Sequence, residues 1–210
     1  MLHRAAIAIL PAVALAAGLR AQRPAAPPRW AEFEGIRIGA PLDEILALNG
    51  DCRPALSPST NPIRVARWGF GYLLPELYGG WADSGVIAGA LATGTTCRVT
   101  LLSGRAHAYV LAIDRLVVSS TINFFDTANA ALPIDSVREL LRARWPHATS
   151  HYPRLDSWID ARYQAHLLAV PANRENTGPL AGQLIMVDLS ACTAFVRRLR
   201  AATHGVAEAC

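Results

Sequence analysis

The stretch Pro41–Gly50, "PLDEILALNG", and the later stretch Pro133–Pro146, "PIDSVRELLRARWP", begin in the same way. Each starts with proline, a branched aliphatic residue, aspartate, any residue and a β-branched aliphatic residue, and the second start follows the first by 92 positions. Proline suits the start of a helix, and an acidic residue in the first turn complements the helix dipole. The repeated start predicts two similar helices in a chain of 210 residues.

Both predicted helices carry their apolar residues on one face. In the first helix Leu42, Ile45 and Leu46 recur at i, i+3 and i+4, and the pair Asn49-Gly50 is typical of a helix end. The second helix is longer, and its polar residues are predicted on the opposite face. Its apolar face consists of Ile134, Val137, Leu141 and Trp145, and its polar face of Asp135, Arg138, Glu139 and Arg142.

After each helix the residues alternate between apolar and polar types, as strands do. The predicted strands cover 63–72, with a β-bulge near Arg67, and 97–102, 106–113, 116–125, 157–170 and 183–190. A final helix is predicted at Thr193–Thr203. A helix followed by antiparallel strands, occurring twice, predicts an α+β fold of two tandem units, each a helix packed on a small antiparallel sheet, plus a C-terminal helix.

The start of the chain predicts export. A short basic beginning, fifteen uncharged residues and then small residues are typical of a signal peptide, placed at 1–21. The apolar run is shorter than the about 20 residues of a transmembrane helix. A Pro-rich leader at 22–30 then precedes the two units, at 31–125 and 126–210. We therefore expect a periplasmic or secreted protein with no membrane span.

The cysteine content agrees with an exported protein. The four cysteines are Cys52, Cys97, Cys192 and Cys210. An even number of cysteines in an exported chain predicts two disulfides, for which three pairings are possible. We favour Cys52–Cys97 with Cys192–Cys210, because each bond then stays within one predicted unit.

Several functional classes are disfavoured by composition. The sequence contains no lysine, which excludes Schiff-base catalysis, a Ser-Lys dyad and a P-loop lysine. A net charge of +4 is too small to predict nucleic-acid binding. The motifs G-x-S-x-G, H-E-x-x-H and C-x-x-C do not occur in the sequence. We therefore predict no catalytic residue and no cofactor.

A small metal-dependent hydrolase of the periplasm or the medium is the alternative interpretation. His147 and His151 have the i, i+4 spacing of two metal ligands on one helical face. Further ligands of such a site would be Asp156, Asp160 and His166. Pro146 and Pro153 flank the histidine pair and disfavour a helix there, so a polar loop leading into a strand accounts for the same residues.

Aromatic residues and arginines between positions 64 and 81 form the candidate partner-binding surface. Trp68, Phe70 and Tyr72 alternate along the predicted strand 63–72 and so share one face. The whole set is Arg64, Arg67, Trp68, Phe70, Tyr72, Tyr78 and Trp81. Aromatic residues and arginine are enriched at the centres of protein interfaces. In the other interpretation these rings fill the core, which is the role predicted outright for Trp145 and Trp158.

The first helix also carries a family resemblance. Gly39, Pro41, Ile45 and Gly50 follow the spacing G-x-[TSP]-x3-[VI]-x4-G over about a dozen residues. This pattern resembles the helix start of small envelope lipoproteins of the SmpA/OmlA type and of the related β-lactamase-inhibitor-protein-like fold. The resemblance implies a tandem repeat of helices on an antiparallel sheet and a non-enzymatic protein that binds or blocks an envelope or extracellular partner. The lipid-bearing cysteine of the lipoproteins is absent from this sequence.

Overall fold

Eight strands form one antiparallel sheet in the computed structural model, which describes residues 27–70, 83–126, 128–171 and 180–203. In chain order the described strands are β1 (Glu32–Phe33), β2 (Ile36–Arg37), β3 (Asp51–Pro54), β4 (Thr95–Leu101), β5 (Ala106–Ile113), β6 (Leu116–Phe124), β7 (Ser150–Tyr152), β8 (Leu155–Ile159), β9 (Tyr163–Pro171) and β10 (Leu180–Asp188). The described helices are α1 (Leu42–Ala47), α2 (Pro62–Phe70), α3 (Ser84–Ala90), α4 (Ile134–Arg142) and α5 (Leu189–Thr203). The predicted α+β class is confirmed.

The large sheet consists of two meanders joined at one strand pair. Its strand order is β3-β4-β5-β6-β10-β9-β8-β7, while β1 and β2 form a separate hairpin. The meanders meet where β6 pairs with β10, and Ile122 lies opposite Leu184. The sequence analysis predicted one small sheet for each half of the chain. The strands instead form a single sheet, because pairing of β6 with β10 removes two sheet edges that would expose unpaired backbone groups.

Helices α1 and α4 cover one face of this sheet. Ile45 of α1 and Val137 of α4 belong to the same buried core as Ile122 in the middle of the sheet. The β1–β2 hairpin adds Phe33, whose ring meets that of Trp145 edge to face at a centroid distance of 6.4 Å. The helices therefore share one hydrophobic core.

Helices α2, α3 and α5 cover part of the opposite face. Phe70 of α2, Ile87 of α3 and Phe195 of α5 form a second buried core with Val118 of β6. Val118 follows Val117, which lies in the first core, and successive strand residues point to opposite faces. One face of the sheet is thus covered by α1 and α4 and the other only in part by α2, α3 and α5.

Both helices that share the proline-initiated start are present. Pro41 and Pro133 directly precede α1 and α4. The buried apolar residues are Leu42 and Ile45 in α1, and Ile134, Val137 and Leu141 in α4. Asn49 adopts the left-handed conformation, with φ 56°, just after α1, as its place at a helix end predicts. Leu46 was predicted on the apolar face, but it is 46% exposed.

The strand predicted at 63–72 is wrong over its described part. Residues Pro62–Phe70 form helix α2, and Tyr72 lies outside the described residues. Val65 and Ala66 are buried, as are Gly69 and Phe70 four residues later. This spacing places the buried residues on one side of a helix with 3.6 residues per turn.

Three other segments differ from the sequence-based expectation. The stretch predicted as one strand at 157–170 is a hairpin of β8 and β9, because Asp160 turns the chain: its carboxylate accepts hydrogen bonds from the backbone N–H of Arg162 and Tyr163. Helix α3 was not predicted, although Asp83 caps it by accepting from the N–H groups of Gly85 and Val86. The C-terminal helix begins at Leu189, four residues earlier than predicted.

The predicted signal peptide lies outside the described residues, as do positions 22–26 of the leader. Arg29–Ala31, at the end of the leader, form a short 3-10 helix, and Trp30 is buried there. Among the described helices, none is both long and apolar enough to cross a membrane.

Candidate functional site

An exposed tryptophan and an exposed tyrosine lie side by side where α2 packs on the sheet. Trp68 of α2 is 48% exposed and Tyr109 of β5 is 39% exposed, and their ring centroids are 6.1 Å apart. The guanidinium of Arg64 lies over the indole ring at 4.9 Å, within the range of a cation–π contact. Arg98 of β4 is directly opposite Tyr109. We define Arg64, Trp68, Arg98 and Tyr109 as the aromatic patch.

Helix α2 presents Trp68 outward because its other side is anchored in the core. Phe70 is 1% exposed and stacks on Phe195 at a centroid distance of 4.8 Å. Each residue of a helix is rotated by about 100° from the one before it. Trp68 and Phe70 are two residues apart and therefore point in nearly opposite directions. The hydroxyl of Thr121 in β6 also donates a hydrogen bond of 3.4 Å to the backbone carbonyl of Trp68. The indole is therefore held on a fixed platform.

A pocket of about 270 Å³ opens beside the aromatic patch. Leu111 of β5 and Ser119 of β6 line it from the sheet, and Val65 lines it from α2. Edge strand β3 contributes Asp51 and Arg53, whose side chains form an exposed ion pair of 2.5 Å. Apolar walls and a charged rim are typical of small binding pockets.

A disulfide ties the edge strand to the sheet next to this pocket. Cys52 of β3 and Cys97 of β4 are bonded, which confirms the favoured pairing for these two residues. They are direct neighbours in the strand register. Cys192 is buried and disulfide-bonded, and its predicted partner, Cys210, lies outside the described residues.

The residues predicted for partner binding do not share one face. Arg64 and Trp68 are exposed, Arg67 is half-buried and Phe70 belongs to the core. Placing Trp68 and Phe70 together was wrong, because that prediction assumed the two-residue period of a strand. Tyr72, Tyr78 and Trp81 lie outside the described residues.

Tyr109 and Arg98 were missed by the sequence analysis, although the sequence carries a signal for them. In β4 the exposed residues Arg98 and Thr100 alternate with the buried Cys97, Val99 and Leu101. The exposed Tyr109 of β5 lies between the buried Ala108 and Val110. Alternation of this kind marks the face of a strand that is left to solvent.

The polar face continues across the sheet beyond the aromatic patch. His107 lies opposite Thr100 on one side and Asn123 on the other. Gln183 of β10 donates a hydrogen bond of 2.8 Å to the side-chain oxygen of Asn123. The imidazole of His107 also lies 5.4 Å from the ring of Phe125. These side chains, most of them half-buried, extend the polar face across β4, β5, β6 and β10.

Of the residues proposed for the alternative hydrolase site, His147, His151 and Asp156 line one pocket, whereas His166 lies on the opposite face of the sheet. His151 is hydrogen-bonded to Asp156, and His166 to Ser157 at 2.9 Å. Asp156 and Ser157 are consecutive in β8 and therefore point to opposite faces of the sheet. Burial also lowers the pKa of His166 to about 4, so this imidazole is neutral at pH 7.

No cluster of three metal-binding side chains was found among the described histidines, cysteines, aspartates and glutamates.

Arg138 was predicted on the polar face of the second helix, but it is buried. Its Nε donates to Asp156 at 2.8 Å, its Nη1 to Asp135 at 2.7 Å, and its Nη2 to the backbone carbonyls of Tyr152 and Pro153. Burial opposes the charge of the guanidinium, yet the hydrogen bonds to Asp156 and Asp135 raise the pKa of Arg138. The prediction failed because β8 supplies a buried carboxylate that no local pattern reveals.

Comparison of the chain with protein-family models, with curated proteins and with solved structures found no match.

Proposed function

We propose that this protein is an exported, non-enzymatic module that binds another protein through the aromatic patch. The observation that carries the proposal is the exposed indole of Trp68, stacked under Arg64 and beside Tyr109. Tryptophan, tyrosine and arginine are the residues most enriched among those that dominate binding energy in protein interfaces.

The charge of the patch favours an acidic partner surface. Arg64 and Arg98 are exposed, and no ion pair within the described part of the chain engages either guanidinium. Arg53 at the rim of the pocket is already paired with Asp51. A partner surface with a carboxylate beside an apolar side chain would match these two guanidiniums and the two rings. Complementary charge of this kind steers association and sets specificity.

The rigidity of the platform supports binding rather than a gated reaction. Phe70 and Phe195 fix α2 on the core, and the Cys52–Cys97 bond fixes β3 on β4. A surface that is already ordered loses little conformational entropy when it binds, so more of the contact energy appears as affinity.

Export of the protein is supported by the same disulfide. Disulfides persist in the periplasm, in the medium and in other oxidising compartments, whereas cytosolic proteins rarely keep them. The basic and apolar start of the sequence supports the same proposal. The resemblance of the first helix to envelope proteins makes an envelope or extracellular protein the proposed partner.

A further part of the proposal is that the chain arose from two tandem units. Two matching bridges support it: Pro41, just before α1, pairs with Leu116 in the last strand of the first meander, and Pro133, just before α4, pairs with Ala181 in the last strand of the second. Each helix is followed by a four-stranded meander in the same order along the chain.

Site-specific crosslinking tests the proposed surface. A photoreactive phenylalanine analogue is introduced at Trp68, at Tyr109 and, as the control, at Tyr152, which is 59% exposed on the other edge strand, β7. After irradiation in the native envelope or medium, positions 68 and 109 should capture the same partner and position 152 should not. Reversing the charge of Arg98 by Arg98→Glu should lower the yield from position 68. An equal yield of that partner from position 152, or no product from either patch position, would contradict the proposal.

A further inference from the structure

A second pocket lies on the other side of the sheet, between α4 and strands β7 and β8. Its volume is about 560 Å³, within the range of roughly 300–1,000 Å³ that is common for small-molecule sites. It is lined by Arg138, Arg142, Trp145, Pro146, His147, Ala148, His151, Asp156 and Trp158. Trp158, which lines this pocket, packs in the core beneath α1 and α4, whereas Trp68 belongs to α2 on the opposite face of the sheet, so the pocket is separate from the aromatic patch.

The carboxylate in this pocket is fully engaged. One oxygen of Asp156 accepts from Nε of Arg138 at 2.8 Å, and the other is hydrogen-bonded to Nδ1 of His151. Asp156 is 5% exposed. Each oxygen of Asp156 therefore already has a hydrogen-bond partner within the protein.

The groups left to a ligand are one guanidinium and two imidazoles. Arg142 lies one helical turn after Arg138 on α4, is exposed, and forms no ion pair within the described residues. The hydrogen bond of His151 to Asp156 occupies its Nδ1 and leaves Nε2 available. His147 is exposed at the same rim. The guanidinium of Arg142 carries a permanent positive charge that favours an anion, and its planar fork matches a carboxylate.

The remaining walls are flat and apolar. The rings of Trp145 and Trp158 meet edge to face at 4.9 Å, and the indole N–H of Trp158 is used in a hydrogen bond of 2.9 Å to the carbonyl of Pro146. Ala148 completes the apolar lining. These two rings give the pocket apolar walls that suit an aromatic or planar apolar group.

We infer that this pocket binds a small carboxylic acid with a flat apolar body. The carboxylate pairs with Arg142 at the rim that His147 and His151 also line, while the apolar body lies against the rings of Trp145 and Trp158. The Arg138–Asp156 pair orients His151 and is not itself a ligand contact.

Titration of the full chain with benzoate tests the inference. The two-dimensional ¹H–¹⁵N NMR spectrum should show changes centred on the indole N–H signals of Trp145 and Trp158, with a dissociation constant in the millimolar range. Benzamide has the same ring but no charge, and it should bind at least about threefold more weakly because the ion pair is lost. Phosphate, which lacks the apolar body, should also bind more weakly than benzoate.

Two arginine variants separate this site from general charge effects. Arg142→Gln should weaken benzoate binding about threefold to tenfold, because it removes the unpaired guanidinium at the rim. Arg197→Gln changes another exposed arginine, on α5, and should leave benzoate binding unchanged. The inference is overturned if benzoate and benzamide bind equally, if Arg142→Gln has no effect, or if the spectral changes centre on Trp68 instead. Unchanged thermal unfolding of both variants verifies that they fold.

Discussion

His166 and Arg138 are two buried ionisable residues that the fold treats differently. Arg138 stays charged because Asp156 and Asp135 accept its hydrogen bonds. His166 is 4% exposed, with Ser157 and Gln164 as hydrogen-bonding neighbours, and neither of them carries a charge. Burial of the imidazole disfavours its charged form and lowers the pKa of His166. The fold thus keeps Arg138 charged and His166 neutral at pH 7.

The neutral state of His166 predicts a stability loss in acid. The pKa of His166 is about 4 in the folded protein, against about 6.5 in an unfolded chain. Between these pH values the unfolded chain binds a proton that the folded protein does not, so the free energy of unfolding falls as the pH falls. We expect a loss of about 2–3 kcal/mol from this residue between pH 7.5 and pH 4.

Urea unfolding of the wild type and of His166→Gln at both pH values measures this contribution. The variant is expected to be less stable at pH 7.5 but to lose less stability on acidification, since glutamine does not titrate. The same loss in both proteins would show that other groups cause the acid sensitivity.

At the scale of elements, the close packing of α4 on β10 depends on one glycine. A Cβ at Gly182 would lie 2.6 Å from Cγ2 and 2.9 Å from Cβ of Val137, and 3.3 Å from the backbone of Ile134. Those distances leave no space for a methyl group unless the helix moves. Gly182 therefore sets how closely the second proline-initiated helix approaches the sheet.

Gly182→Ala is expected to lower the free energy of unfolding by about 1–3 kcal/mol, because the added methyl group overpacks the helix–sheet contact. Chemical denaturation measures the change. Gly89→Ala in α3 is the matched control, since a Cβ at Gly89 meets no atom within 4 Å. It should be neutral or stabilising by up to about 1 kcal/mol, because alanine is the better helix former. Equal effects of the two substitutions would contradict the packing argument.

For the whole molecule, the contact between β6 and β10 makes the two meanders depend on each other. Ile122 and Leu184 face each other across this contact, and both are fully buried. Helix α5 from the second half of the chain also reaches the first half, where Arg198 pairs with Asp114 at 2.7 Å. Neither meander can separate without exposing a strand edge and part of both cores.

We therefore expect the whole protein to unfold in one cooperative transition. Far-ultraviolet circular dichroism and tryptophan fluorescence should give coincident unfolding curves. Leu184→Ala should lower the free energy of unfolding by about 2–5 kcal/mol through loss of buried contacts, and it should shift both curves together. Two separated transitions, or a shift in one signal alone, would show that the meanders unfold independently.

Part of this architecture could be predicted from local pattern. The helices after Pro41 and Pro133, the buried positions of Trp145 and Trp158 and the Cys52–Cys97 bond all follow from spacing or chain context, and the structure confirms them. Helix starts, helical faces and strand alternation depend on residues that are near one another in the chain, so a sequence carries them directly.

The amino-acid sequence by itself determined the α+β class and the two proline-initiated helices, and it favoured the Cys52–Cys97 bond among three possible pairings. Only the tertiary structure decided that eight strands form one sheet, that Trp68 faces solvent while Phe70 enters the core, and that Arg138 is buried against Asp156. The physical reason is the distance along the chain between the residues that interact. Each of these outcomes depends on a partner that is distant in the chain, and the free energy of burying a side chain against such a partner overrides local pattern.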